Sequence, residues 1–426
     1  MKNSQRPALP AELHQELLLL RQAARQQRQL SSAQKNKTLL ALAAALVAQE
    51  SNILAANKVD LENLSAETAP AFRDRLLLNS QRIAGMAESL KQVAQLPDPV
   101  GEMVEQRTLN NGLLLKKVRS PLGVLLMIFE SRPNVILEAF SLAFKSGNAI
   151  LLRGGSESRH TAQVIYKLMQ ETLTASGLLK IPFGGLENYD RGLVETLLQR
   201  PDLIDVVIPR GGDKLIEFVQ NTALMPIIKN DRGMCHCYVD DEADLAMAVK
   251  IIANAKVQRP GVCNSLETIL LHKSIAAKAL PDIYQAMEPA GVQWRVDETC
   301  WQILQGKALV QKASTQAWDT EYLDLIVNCR VVAGLEEAME HIETHGSRHS
   351  EVIVTKSEKK ARLFQEDVDA AAVYWNASSR FTDGFEFGLG GELGISTQKL
   401  HVRGPVGLRE LTTPRWWIDG NGQIRA

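Results

Sequence analysis

The sequence predicts an α/β protein made of two parallel-sheet domains and a small antiparallel element. Strand-length apolar runs alternate with helical stretches from Gly123 to Gln365, residues 1–100 carry helical spacing, and Asn111-Gly112 separates two strand-like arms. Buried runs alternating with helices are the pattern of doubly wound sheets, whose strands are covered on both faces.

Length and composition set the bounds. A chain of 426 residues, 45% hydrophobic and 23% charged, suits two or three domains with cores to bury. Lys and Arg number 48 against 49 Asp and Glu, for a net charge of -1, so there is no global attraction to nucleic acid or to an anionic membrane. An anionic ligand must therefore be met by local cations. Five cysteines, an odd number spread thinly, form no disulfide framework and point to a reducing compartment, the cytoplasm. The early apolar run Leu17 to Leu20 is too short for a signal-peptide core, and Leu39 to Ala48 is half the length that spans a bilayer. No membrane segment is expected.

From Ala11 to about Asn57 the spacing predicts two amphipathic helices broken at Ser31-Ser32, and a third runs from about Ala69 to Val93. The breaker LPDPVG, Leu96 to Gly101, ends this opening. The hairpin signal within Glu102 to Arg119 follows, and the tail Leu411 to Ile418 reads as an edge strand able to pair with it. Residues 101–120 and 396–426 are thus expected to form an oligomerisation hairpin and tail, which in one assembled form would be an intersubunit sheet.

The strands of the first parallel sheet are expected at Val124 to Phe129, Ala149 to Arg153, Ile204 to Pro209, Met225 to Lys229 and Cys235 to Val239. Residues 1–100 and 121–255 then form a nucleotide-binding domain, and residues 256–395 a second α/β domain with strands at Thr268 to Leu271, Leu325 to Val332 and Glu351 to Thr355. Three strand ends carry paired glycines: Arg153-Gly154-Gly155-Ser156, Phe183-Gly184-Gly185 and Arg210-Gly211-Gly212. Bare N–H groups there suit phosphate, although none is G-x-G-x-x-G and each also fits plain punctuation between strand and helix.

The second domain opens on QRPGVCNSLET, Gln258 to Thr268, in which Cys263 lies between a Pro-Gly turn and an Asn-Ser pair before a buried strand. A thiol in such a loop is reachable from a cleft, as a nucleophile must be; a small core hydrophobe fits the same position. Arg259 lies four residues before it. Arg132 and Asn134 flank Pro133 at a strand end before a helix, and Arg380 and Arg403 are further candidates for an anionic substrate, while each alone also fits a surface residue. Cys235-His236-Cys237 has no second cysteine pair nearby, Cys300 and Cys329 read as structural, and no metal is expected.

Four stretches carry a family resemblance: IFESRPNV from Ile128, SGNAILLRGGSES from Ser146, QRPGVCNSLE from Gln258, and FGLGGELGISTQKLHVRGPVGL from Phe387. Their order resembles the aldehyde dehydrogenase superfamily and, within it, the branch that reduces a glutamyl acyl phosphate. The resemblance implies an aldehyde dehydrogenase-like fold and NADPH-dependent reduction of L-glutamyl 5-phosphate to L-glutamate 5-semialdehyde, with release of phosphate through a Cys263 thioester, in proline biosynthesis. It also implies a homodimer or homotetramer, and a glutamate 5-kinase as the source of the labile substrate. Asn134 would fall near the superfamily's oxyanion-binding asparagine. Arg153 would stand where a lysine holds the adenine ribose, and Ser156 near a glutamate that binds ribose hydroxyls in NAD-using members; loss of that carboxylate favours a 2'-phosphate. Gly211 and Gly212 would face the pyrophosphate, Glu321 would contact the nicotinamide ribose, and Arg132, Arg259, Arg380 and Arg403 would divide the substrate's phosphate and carboxylate. The water-activating glutamate of hydrolytic relatives is missing from the corresponding Lys229-Asn230-Asp231-Arg232-Gly233, with Asp231 as the candidate substitute. Another NAD(P)-dependent acylating aldehyde dehydrogenase, or an idle nucleotide-binding scaffold, remains the competing function.

Overall fold

The computed structural model describes residues 7–178, 183–185, 191–230 and 232–425. It forms two compact units, one of Met1–Asn230, Gly388–Gly394 and Val406–Ala426, the other of Asp231–Phe387 and Ile395–Pro405.

The first unit opens with helices Ala11–Gln27, Ser32–Ala48, Glu50–Glu62, Pro70–Leu76 and Ser80–Gln95, where the spacing predicted three. The extra breaks have local causes. The second helix stops at Gln49, and Asn79 caps a new helix by accepting the Arg82 N–H at 2.8 Å. No single helix is long and apolar enough to cross a membrane; the bent pair Ser32–Ala48 and Glu50–Glu62 passes only by composition, and its Leu39, Leu42, Leu46 and Ile53 are buried.

Four parallel strands follow in the order Phe183–Gly185, Ala149–Arg153, Val124–Phe129, Val206–Arg210. In chain order this is third, second, first, fourth, so the chain reverses direction across the sheet between Val124–Phe129 and Val206–Arg210. Such a reversal opens a crevice at the strands' carboxyl ends. Val124, Leu126, Ile128, Leu151 and Val207 fill one face against Leu13, Leu17 and Leu20 of the first helix. The expected strand Met225 to Lys229 does not form: Pro226 has no N–H for a ladder, and only an isolated bridge joins Ile227 to Val207.

The strand Cys235–Val239 is corrected from the first sheet to the second, where it pairs with Leu266–His272 and Ser350–Val354. The boundary expected near residue 255 accordingly moves to Asn230. The second sheet has seven parallel strands in the order Val310–Lys312, Gln293–Val296, Ile326–Val332, Leu266–His272, Cys235–Val239, Ser350–Val354, Ala372–Trp375. Alternate residues supply two cores. Cys237, Val239, Ile269 and Leu271 face the helices Leu245–Val257 and Ala276–Met287. Tyr238, Leu270 and Ile353 face Leu335–His345 and Glu358–Asp367.

The hairpin of Met103–Thr108 and Leu114–Pro121 forms as expected, and Thr412–Asp419 pairs antiparallel with Leu114–Pro121 over its length. The hairpin and the tail thus build one three-stranded sheet within the chain. The expected tail of residues 396–426 also divides: residues up to Pro405 belong to the second unit, where Ile395–Ser396 pairs with Gly404–Pro405. Trp416, Trp417 and Ile418 are exposed on this sheet, as are Met103 and Val104.

In the second unit, Lys256 at the end of helix Leu245–Val257 reaches Glu267 on strand Leu266–His272 at 3.1 Å, with both side chains fully buried. Burial lowers the Lys256 pKa and pushes the Glu267 carboxyl up to about 7. Lys256→Met leaves that carboxyl without its partner and is expected to cost about 3–5 kcal/mol at neutral pH. Because the folded-state pKa of Glu267 lies above the ordinary 4.5, its contribution is full below that value and is lost as pH rises through about 7. Denaturant melts of the variant should therefore show a smaller deficit at pH 5.5 than at pH 8; a deficit that does not vary with pH contradicts this account.

Candidate active site

Of the five cysteines, Cys263 alone is partly exposed; the other four are buried. The core reading therefore suits Cys235, Cys237, Cys300 and Cys329. Cys263 lies in the crossover between helix Leu245–Val257 and strand Leu266–His272, whose two ends are joined by the Lys256–Glu267 pair. Its main-chain carbonyl is enclosed: a Cβ on Gly233 would stand 1.5 Å from that oxygen, so only glycine fits there, and Cys235 Sγ donates to it at 3.3 Å. The Gly233 N–H donates to Glu321 Oε1 at 2.8 Å. Asn264 is held on both sides, its Nδ2 donating to the Thr382 carbonyl at 2.8 Å and its own carbonyl accepting Ser379 Oγ at 2.7 Å.

Two of the predicted arginines gather at this loop. Burial lowers the Arg380 pKa, the charge of Arg259 lowers it further, and Asp383, Cys263 and Cys235 act in the opposite direction. Arg380 Nε donates to Gln258 Oε1 at 2.9 Å, tying the arginine to the start of the nucleophile loop. Two guanidinium groups that repel one another beside a half-exposed thiol make a local cationic site, which the neutral overall charge could not supply. Arg403 lies elsewhere in the second unit, donating to Asp369 at 2.8 Å; Lys399 pairs with the same carboxylate, whose pKa these two cations lower to about 2.

In the first unit, a cleft of about 710 Å³ opens at the topological reversal, lined by Ile128, Arg153, Val194, Gly212, Lys214 and Phe218 among others. Gly212 is the N-cap of helix Asp213–Thr222, as the Gly-Gly turn suggests, but its N–H already donates to Glu130 Oε1 at 3.0 Å. Gly211 packs closely on the side-chain ends of Glu130 and Leu215. Ser156 is exposed at the start of the short turn after Arg153, and the neighbouring Glu157 carboxylate is bonded to Ser131 Oγ. Arg132 is the N-cap of helix Pro133–Lys145, and Asn134 is exposed in its first turn. Asp231, weighed as a water-activating carboxylate, lies outside the described residues.

Sequence reasoning passed over several groups that hold these sites: Gly233, Cys235, Asn264, Ser379, Glu130 and Lys214. Only the Asn264 neighbour of the thiol gave a local signal. Asp240, Asp241 and Glu242 form an acidic cluster that was also passed over, and Lys360 Nζ already sits among them, 3.1 Å from Asp240 and from Glu242.

Comparison with known proteins agrees with this arrangement. A model of the aldehyde dehydrogenase family matches residues 17–302. The chain is 48% identical over 406 residues to gamma-glutamyl phosphate reductase of Moorella thermoacetica, covering 95% of this chain and 96% of the relative. It is 45% identical over 399 residues to the protein of that name from Clostridium tetani, with 92% and 93% covered. A crystal structure of gamma-glutamyl phosphate reductase from Thermotoga maritima matches with a TM-score of 0.94 at 42% identity, covering 97% of this chain and all of that one. The chain belongs to the aldehyde dehydrogenase family, in its gamma-glutamyl phosphate reductase branch.

Proposed function

We propose that this protein reduces L-glutamyl 5-phosphate to L-glutamate 5-semialdehyde with NADPH, releasing phosphate, as a step of proline biosynthesis in the cytoplasm. The observation that carries the reading is the half-exposed Cys263 with Arg259 and Arg380 close enough to act on one another's charge. The relatives' shared name gives the substrate, and five free thiols suit a reducing compartment.

The Cys263 thiol gives up its proton and attacks the acyl carbon as the thiolate, the C–O bond to phosphate breaks, and that proton ends on the departing phosphate, which leaves as a dianion that Arg259 and Arg380 stabilise. The product is a thioester on Cys263, a carbonyl still electrophilic enough to be reduced. After reduction, the thiohemiacetal collapses, the C–S bond breaks, and the thiolate is regenerated with the free aldehyde. Asn134 is the candidate oxyanion donor, and Arg132 and Arg403 are candidates for the remaining charges of the substrate. Segment 229–233 offers no glutamate to activate water, which suits a thioester that must outlast hydrolysis.

The cleft of the first unit fits a nicotinamide dinucleotide by size and by its lining: Ile128, Val194 and Phe218 form apolar walls, and Arg153 and Lys214 supply cations for phosphate. When bound, NADPH supplies the hydride. Arg153 and Ser156 would take the adenine ribose and its 2'-phosphate, Gly211 and Gly212 the pyrophosphate, and Glu321 the nicotinamide ribose. A glutamate 5-kinase supplies the acyl phosphate, which is too labile to accumulate. The three-stranded sheet of hairpin and tail, with Trp416, Trp417 and Ile418 exposed, is the element through which the chain forms a homodimer or homotetramer. An acylating relative that uses coenzyme A would share Cys263 but not need phosphate for the reverse reaction.

The direct test supplies glutamate semialdehyde, NADP+ and phosphate and follows NADPH absorbance; no phosphate dependence would refute the assignment. Cys263→Ala should bring turnover below about 1% of the parent while cofactor titration is unchanged. Ser156→Glu should weaken NADPH by about tenfold, some 1.4 kcal/mol, with NADH affinity nearly constant; equal losses for both would place the 2'-phosphate away from this turn. Removing residues 411–426 should lower the assembly mass in light scattering, and an unchanged mass would show that the tail does not carry the interface.

A further inference from the structure

We infer that Cys235 and Ser379 are positioning residues for the nucleophile, holding the two successive main-chain carbonyls of Cys263 and Asn264 so that the Cys263 sulfur is presented in one orientation. The inference rests on Cys263 being the nucleophile, as proposed above.

The contacts form a closed path around the loop. At one end the Cys263 carbonyl oxygen meets Gly233, where no side chain fits, and accepts the Cys235 thiol at 3.3 Å. Cys235 Sγ lies 3.8 Å from His349 Nδ1, which is 2.8 Å from Ser350 Oγ. Ser350 Oγ is hydrogen-bonded to Thr382 Oγ1 at 2.7 Å, and Tyr374 hydroxyl to the same oxygen at 2.7 Å. At the other end the path returns to the loop, since the Thr382 carbonyl accepts Asn264 Nδ2 and Ser379 Oγ donates to the Asn264 carbonyl. Cys235, Ser350, Ser379 and Thr382 are all buried.

A planar peptide transmits this restraint. The bond to the Cys263 oxygen holds the Cys263–Asn264 peptide plane, the bond to the Asn264 oxygen holds the Asn264–Ser265 plane that follows, and together they hold the Cys263 Cα in place and narrow the directions its sulfur can take. Burial first, and then the charges of Glu351 and Cys263, push the Cys235 thiol well above its ordinary range. Cys235 therefore keeps its proton when the neighbouring sulfur ionises, remains a donor, and does not compete as a second nucleophile. Its role needs an S–H, or another small donor, at this place.

The test uses full-length Cys235→Ala and Cys235→Ser, each checked for folding by circular-dichroism melting. In the reverse reaction kcat of the alanine variant should fall by about 10- to 100-fold, the scale of a misplaced reacting group, with KM for the semialdehyde nearly unchanged. The serine variant, which restores an O–H donor, should recover most of that loss. In parallel, iodoacetamide labelling at Cys263, followed by peptide mass spectrometry, should change by about threefold or more in the alanine variant and return toward the parent rate in the serine variant. Parental kcat and labelling in Cys235→Ala, or a serine variant as impaired as alanine, overturns the inference. If the parent itself shows no turnover, the functional reading fails while the labelling ratios still decide the positioning role. If Cys235→Ala does not fold, Ser379→Ala must show the same fall in kcat at constant KM, and a parental value there overturns the inference.

Discussion

The fully buried pair of Lys256 and Glu267 fixes the ends of the loop on which the second unit's chemistry depends. Between them the chain must leave a helix, pass Pro260 and Gly261, present Cys263 and enter a strand with every side chain from Asn264 to Leu271 buried. A loop of this length has enough freedom to present the sulfur in many ways. Joining its ends with opposite charges, in a medium where an unpaired charge is costly, removes most of that freedom. The pair adds little net stability over an apolar packing of the same volume. What it supplies is a single arrangement, because a slip of helix against strand would leave both charges without partners.

The same logic of fixed main-chain groups recurs in the first unit. The crevice lies where strand order reverses, beside Val124–Phe129 with its parallel neighbours Ala149–Arg153 and Val206–Arg210. Arg153, Gly212 and Lys214 reach this crevice as ends of strands and beginnings of helices, so their positions follow from topology rather than from any local signature. Glu130 adds a detail that topology does not dictate. Its carboxylate takes the N–H of Gly212, holding the start of helix Asp213–Thr222 to the end of the neighbouring strand. A phosphate approaching that turn meets an amide already paired, and the cations Arg153 and Lys214 become the stronger attraction within the cleft.

Much of this was legible in the sequence, and the reason is period and punctuation. The strand Val124–Phe129 is an uninterrupted apolar run, the Asn111-Gly112 turn sets a hairpin, and a lone cysteine between Pro-Gly and Asn-Ser marks an exposed loop. The misassigned strand shows the limit. Cys235–Val239 is a buried strand-length run like those before it, and nothing local distinguishes a strand that pairs with Val206–Arg210 from one that pairs with Leu266–His272. Pairing is a property of partners distant in sequence. Met225 to Lys229 failed for a readable reason, since Pro226 removes a ladder donor, whereas the clamp by Gly233 and Cys235 was unreadable because it joins residues about thirty positions away from the thiol they hold.

The segment from Lys229 to Gly233 gains a physical meaning from those contacts. Within Lys229 to Gly233, the glycine has two structural duties: it leaves space for the Cys263 carbonyl and gives its N–H to Glu321. Glu321 is thereby held by a main-chain donor. In the proposed reaction Arg259 and Arg380 would stand beside a thioester on Cys263 and would stabilise developing negative charge without generating a hydroxide. In the proposed reaction Gly233 would serve both ends at once, since the same glycine leaves room for the Cys263 carbonyl and binds the Glu321 carboxylate.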